Sequence, residues 1–505
     1  MKNKENKEEI KKERKDLTVI KKQEKKSSHN VMKKWLSRTS YTILLLIIIM
    51  AAYIALNLFV KKANITDIDL TSEKVYTLSD TSKSIVKSID QDVDIILVNM
   101  SDIQSVVDFA NKYSKENEKI KVQEITEVSQ YPDLATKYNL TDSSYVIIIR
   151  CGDKEKILTT SDLYTYDYTT YEEKDLTEEA MTNALLNVTV TEQPKIYFLA
   201  GHNQNLTSYL TAFKQKLSDE ANEVEDLDLL TKGSIPDDCS TLVITTLSED
   251  IKDIERDAIL NYIKKGGKII LFSDANVTKI SMPNFQKVLD EYGISISEGI
   301  LLEQDKNKML YSSPSAIIVT VSQGTSITED INMETSACFI NSGKINFKDS
   351  EELDNLGVTA ETLATTTDKA FYREDLSIAS TSKQEGDKEG TATVGALLTK
   401  KIDDQTTSKL IVYSNNVFIT SMQISLNSQY YLYAYELYNN EDLALNSISY
   451  LTGREDTIMI RKNTETSTYT VTEQQERIVL VIIFAVPLCI VIVGIVVWQI
   501  RRRKK

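Results

Sequence analysis

The chain holds two histidines and four cysteines in 505 residues, so thiol or imidazole chemistry would have to come from very few groups. His29 lies in a Lys/Glu-rich N-terminal arm. That leaves His202, in Gly201-His202-Asn203, as the imidazole of the central segment. It follows a mostly apolar run at 195–200, which reads as a buried strand. Asp274 follows a second such run at 268–272. Open α/β sheets bind ligands outside the carboxyl ends of their strands. Gly201, His202, Asn203 and Asp274 are therefore the candidate ligand or partner crevice. The structural reading of the same residues is that Gly201 makes a turn and His202 caps the next helix or bonds the backbone.

Several chemistries fail on residue type and spacing. A thiol hydrolase needs a Cys on a tight strand-to-helix elbow with a His base nearby. Cys239 instead precedes a strand, and Cys151 sits in a hairpin-like turn. A metal site built on His202 lacks a second His or Cys at ligand spacing. A P-loop ends in Gly-Lys-Ser/Thr, yet Gly267-Lys268 and Gly343-Lys344 are each followed by Ile, without a Gly five residues before the Gly. No catalytic residue, cofactor or metal is expected, and if ATP drives the system another chain binds it. Cys151, Cys239 and Cys338 cannot all pair, and no CxxC exists, so no disulfide framework is indicated.

The elements that would position the crevice alternate between strand and helix. In the first block, strands are expected at 93–98, 119–128, 145–149 and 156–158, with helices at 103–115, 134–138 and 177–190. The last two strands should pair across Cys151-Gly152-Asp153. A polar, Tyr-rich stretch covers 159–176. The second block begins at Pro194, with strands at 195–200, 224–230, 241–246 and 268–272. Helices are expected at 206–218, at 440–453, and from Ser248 to Gly266-Gly267. Glu249 and Asp250 would fill the first turn of the last of these, and Ile251, Ile254, Ala258, Tyr262 and Ile263 its buried stripe. Strand, helix, Gly-Gly, strand is a crossover that makes the flanking strands parallel. Further strands are read at 316–321, 393–398 and 409–413, around a polar loop at 380–389. The fold class is α/β.

Two uncharged apolar runs, 41–60 and 478–500, are each long enough to cross a bilayer, which takes ~20 apolar residues. Residues 1–38 carry twelve Lys, two Arg, five Glu and one Asp. This +8 arm, the +5 tail 501–505 and the −15 total leave −28 on residues 39–500. Basic residues flanking spans stay cytoplasmic. The expectation is a two-pass protein of a bacterial cell membrane with both termini cytoplasmic and 61–477 extracytoplasmic. The divisions are a basic disordered arm 1–40, a span 41–60, a first α/β lobe 61–191, a second α/β lobe 192–456, a linker 457–477, a span 478–500 and a tail 501–505. Cys489 falls in the second span. No external basic stripe appears, so nucleic acid is not an expected partner.

Four stretches together resemble a known family, the extracytoplasmic auxiliary component of ABC transport systems first associated with bacterial gliding motility. They are Asp69-Leu-Thr-Ser-Glu-Lys-Val-Tyr-Thr-Leu-Ser79; the helix at 178–189 followed by Pro194-Lys-Ile-Tyr-Phe-Leu-Ala-Gly-His202; 251–272 with its Gly-Gly; and 440–453 followed by Arg454-Glu-Asp456. The family pattern continues Gly-His-Gly-Glu, where this chain has Asn203-Gln204. The resemblance implies a thioredoxin-like first lobe and a class I glutamine amidotransferase-like (flavodoxin-like) second lobe. It also implies a cytoplasmic ATPase and a polytopic permease as partners. The expected function is a non-enzymatic auxiliary membrane subunit whose ectodomain contacts substrate or envelope partners. The alternatives are a stand-alone envelope binding or sensing protein and, more remotely, a degenerate amidotransferase-like hydrolase.

Overall fold

The computed structural model describes residues 77–167, 172–202, 208–328, 331, 337–425 and 431–454, with positions 50, 494, 499, 500 and 502. Apart from those isolated positions, the expected arm, both apolar runs, the linker and the tail lie outside the described residues. Among the described residues no helix is long and apolar enough to cross a membrane. The two sheets described next belong to one compact unit, Glu73–Thr470.

Ser79 opens the first lobe. Its Oγ accepts from Ser82 N at 3.1 Å and caps helix α1 (Asp80–Ser88). Strand β1 (Val93–Val98), helix α2 (Gln104–Glu116) and strand β2 (Ile120–Ile125) form a crossover unit with β1 and β2 parallel. Strands β3 (Val146–Cys151) and β4 (Lys154–Thr159) pair antiparallel across a turn where Gly152 has φ +58°. The sheet order is β2-β1-β3-β4, with β3 antiparallel to β1. Helix α3 (Thr177–Thr189) joins α1 and α2 on one face, where Val106, Phe109, Met181 and Leu185 meet Ile95, Ile147 and Ile149. Ile96, Val98 and Ile148 face the opposite side, against the segment around Leu134. Burial on both faces explains why β1 and β3 read as nearly continuous apolar runs. The Tyr-rich stretch carries a short antiparallel hairpin, Tyr164–Asp167 with Glu172–Asp175.

The second lobe is a nine-stranded sheet. Its elements are strand β5 (Lys195–Leu199), helix α4 (Thr211–Asp219), strands β6 (Glu223–Leu227) and β7 (Cys239–Thr245), helix α5 (Asp253–Lys264), strand β8 (Lys268–Phe272) and helix α6 (Pro283–Asp290). They are followed by strands β9 (Ala316–Val321), β10 (Ala337–Ile340), β11 (Val358–Thr365), β12 (Thr393–Lys401) and β13 (Thr407–Tyr413), and by helix α7 (Asn440–Thr452). The order across the sheet is β10-β9-β11-β12-β13-β8-β7-β5-β6. β6, β5, β7, β8 and β13 are mutually parallel, and β12, β11, β9 and β10 extend the sheet antiparallel. Numbered along the chain, the parallel half runs 2-1-3-4-5. One face is covered by α4 and α7 through Phe213, Leu217, Leu443, Ile448 and Leu451, the other by α5 and α6 through Ile259, Ile263, Phe285 and Leu289.

Several expected boundaries move. The strand expected at 224–230 ends at Leu227, because the Asp228 carboxylate accepts from Leu230 N and Thr231 N and opens a helical turn, Leu229–Lys232. Of the helix expected at 206–218, positions 206 and 207 lie outside the described residues, Ser208–Leu210 is a 3-10 turn, and the α-helix runs over Thr211–Asp219. The helix expected from Ser248 starts at Asp253. Ile254, placed in its buried stripe, is 49 % exposed, and Ile259 takes the inward position. Ser248 and Asp250 are used elsewhere. The Asp250 carboxylate accepts from Asn284 N at 2.9 Å and Phe285 N at 3.0 Å, capping α6.

Candidate functional site

A 2-1-3-4-5 parallel order reverses direction between its first and third strands, and the carboxyl ends of that pair flank the usual ligand crevice. Here they are β5 and β7. Gly201, at φ +99°, turns the chain out of β5. The next residue, His202, is buried at 3 % exposure. Its Nε2 lies 2.8 Å from Glu255 Oε1 on α5, and Glu255 is itself fully buried. A carboxylate can only accept, so Nε2 carries a hydrogen and donates it to Glu255. The other Glu255 oxygen accepts from Lys252 N at 2.8 Å. That is the glutamate half of a capping box, with no reciprocal half because a lysine ammonium has no acceptor. The His202 carbonyl accepts from Ser248 N at 2.9 Å and from Ser248 Oγ. His202 therefore ties the end of β5 to the β7–α5 connection, and Nδ1 has no partner among the described residues.

Asp274 follows β8, as expected, and it bonds both sheet neighbours, with its carboxylate turned toward the β13 side, away from His202. Its Oδ1 accepts from Asn416 N at 2.7 Å, and its backbone N donates to Thr246 Oγ1 at 2.8 Å. Burial pushes its carboxyl group above the usual carboxylate range, against hydrogen bonds from Asn416 and Thr246 that lower it. The Asn416 carboxamide is fully buried with neither atom partnered among the described residues. His202 and Asp274 thus share no hydrogen-bond partner. Gly201 has open space where a Cβ would stand. Asn203 lies outside the described residues. Glu255, Ser248, Thr246 and Asn416 were missing from the sequence-based set. Glu255 had a readable signal, an acidic residue in the first turn of a helix.

Cys239 sits far from this edge. In the β5–β7 register Cys239 pairs with Lys195, seven residues before His202, so the two are about 20 Å apart along the strands. Burial pushes the Cys239 thiol up to about 11, with a Tyr262 hydrogen bond acting the other way. Burial likewise raises Cys338 to about 12 and raises Cys151. A thiol kept protonated is a poor nucleophile. Among the described residues no group of three His, Cys, Asp or Glu could hold a metal ion. Gly266, at φ +83°, ends α5, and the Tyr262 ring fills the space beside Gly267, 2.3 Å from where a Cβ would be. The Gly-Gly-Lys run packs an aromatic ring where a phosphate cradle would need open backbone.

A family model described as ABC-type uncharacterized transport system matches residues 193–447. No curated protein matches the chain. Among solved structures, the chain is similar to the mmIFT52 N-terminal domain at 13 % identity and TM-score 0.36, covering 51 % of this chain and 97 % of that one. It is also similar to a putative ThuA-like protein from Bacteroides uniformis at 14 % identity and TM-score 0.32, covering 52 % and 93 % of the two chains. A putative ThuA-like protein from Parabacteroides merdae matches at 9 % identity and TM-score 0.31, covering 52 % and 90 %.

Proposed function

The chain belongs to the ABC-type uncharacterized transport system family, and from that membership we propose that it works as a non-enzymatic auxiliary membrane subunit. Its partners are a cytoplasmic ATPase, which alone binds ATP, and a polytopic permease. The apolar runs 41–60 and 478–500 anchor it in the bilayer with both termini cytoplasmic. Residues 61–477 stand outside and contact substrate or envelope partners. The first lobe is thioredoxin-like and the second class I glutamine amidotransferase-like, and both serve as scaffolds, since a fold does not carry a reaction with it.

One observation carries the non-enzymatic part. The crevice where a doubly wound sheet usually holds its ligand is crossed by the chain's own hydrogen bonds, from His202 to Glu255 and from Ser248 to the His202 carbonyl. Two further facts support it. Burial pushes the Cys239 thiol up, far from His202, and the Tyr262 ring fills the space beside Gly267.

Topology is the requirement that can be tested first. Protease added to intact cells, or to cells with a permeabilised outer layer, should remove the 61–477 mass and spare epitopes placed at both ends. Digestion only in inverted vesicles would overturn the reading, because the binding surface would then face the energy source.

A further inference from the structure

A feature that the candidate crevice does not use lies away from the sheet edge, where the first lobe meets the second within one compact unit. A cavity of about 610 Å³ opens between β4 with α3 on one side and α4 with the segment leading into α7 on the other. That volume suits a small ligand. Seven of its lining residues are Asp or Glu and two are Lys, so the wall carries a net charge of −5. Both lysines are already engaged, Lys156 with Asp219 at 3.0 Å and Lys216 with Glu441 at 3.0 Å. The Glu441 carboxylate, and Glu179 beyond it, hold the Lys216 ammonium above its ordinary range despite burial. Burial raises the Glu436 carboxyl, and Glu441 adds to that. Glu220 is buried and Glu179, Asp219, Glu441 and Asp442 are half-buried, while Asp162 and Glu436 reach solvent.

A second, independent observation points to a ligand. Asn183 lines the same cavity, is 8 % exposed, and its carboxamide Oδ1 has no partner among the described residues. An orphaned buried acceptor costs free energy that a donor would recover. Tyr164, Tyr435 and Tyr438 add aromatic faces to the lining, which attract cations. No group of three ligating side chains among the described residues could hold a metal ion, so the negative charge is spread along the cavity rather than focused on a point.

We propose that this interlobe cavity binds a linear organic polycation, with ammonium groups spaced by short alkyl chains, between the acidic wall and the tyrosines. The inference does not depend on the transport reading. The test is calorimetric titration of the full chain in detergent with spermidine, against Mg²⁺ and a capped tri-lysine peptide. Spermidine should bind at least about tenfold more tightly than either comparator, with affinity falling as salt rises. Glu179→Gln and Asn183→Ala should each weaken it by about tenfold. Asn183→Ala should do so with unchanged or higher melting temperature, which a purely structural asparagine would not show. Tighter binding of the tri-lysine peptide would overturn the proposal in favour of a basic protein segment. Binding no tighter than Mg²⁺, or unmoved by both substitutions in folded protein, would overturn it outright.

Discussion

At the scale of single residues, His202 is a joint. Its ring and its carbonyl take three hydrogen bonds from or to the β7–α5 region, and Glu255 divides its two oxygens between that ring and a helix N-terminus. Glu255→Ala should lower stability by about 2–4 kcal/mol, by orphaning a buried imidazole and uncapping α5. Glu255→Gln should cost clearly less, since its carbonyl can still accept from Nε2. Equal melting temperatures for wild type and Glu255→Ala would contradict this. Asp274 makes the opposite case. Its folded carboxyl pKa is raised, chiefly by burial, so the group favours folding while protonated at acid pH and loses that contribution as pH rises through the folded value. Asp274→Asn keeps an acceptor for Asn416 N and removes the buried charge. Urea titrations should find it at least as stable as wild type at pH 7, with a flatter decline of stability from acid to neutral pH. A variant destabilised at pH 7 with the wild-type slope would refute this.

At the scale of elements, the residues that were readable are those whose burial is symmetrical. Strands β5, β7, β8 and β13 lie inside a parallel sheet covered on both faces, and each shows as a short apolar run within a residue or two of its true ends. Helix α7 was readable because Leu443, Leu445, Ile448 and Leu451 all turn inward and Gly453, at φ +73°, stops it. The start of α5 was misplaced because Ser248-Glu249-Asp250 has the composition of a cap. The competing partners were distant in sequence: the His202 carbonyl for Ser248 and the first turn of α6 for Asp250. His202 was correctly placed at a strand end, but its partner lies 53 residues away, beyond any local pattern. The same limit hid the antiparallel extension, whose β11–β12 and β12–β13 pairings complete the sheet. The Gly-Gly stop at α5 offers a test. Gly267→Ala drives a Cβ into the Tyr262 ring and should cost about 1–3 kcal/mol. The cost should shrink in a Tyr262→Ala background, and an undiminished cost there would place the strain elsewhere.

At the scale of the whole molecule, the four stretches that carry the family resemblance are stitched to one another. Ser79 N donates to Glu178 Oε1 at 2.7 Å, joining the first to the second. Ser82 Oγ reaches the same oxygen at 2.7 Å, and Tyr113 OH and Ser82 Oγ both meet Thr182 Oγ1. His202 and Glu255 join the second to the third. Leu443, Ile448 and Leu451 of the fourth share a core with Ile270 and Phe272 of the third. Arg454, just past α7, donates to the carbonyls of Glu220 and Ala221 and to Asn222 Oδ1. It thereby fixes the point where the described chain leaves the second lobe. The resemblance thus rests on residues that hold a scaffold together. The most direct measurement is to draw the full-length chain from gently solubilised native membranes and assay the eluate for composition and ATP hydrolysis. An ATPase and a polytopic permease should elute with it in a fixed ratio that survives changes of salt and detergent, and hydrolysis should track the ATPase. Elution of the chain alone under every condition, without hydrolysis, would contradict the account.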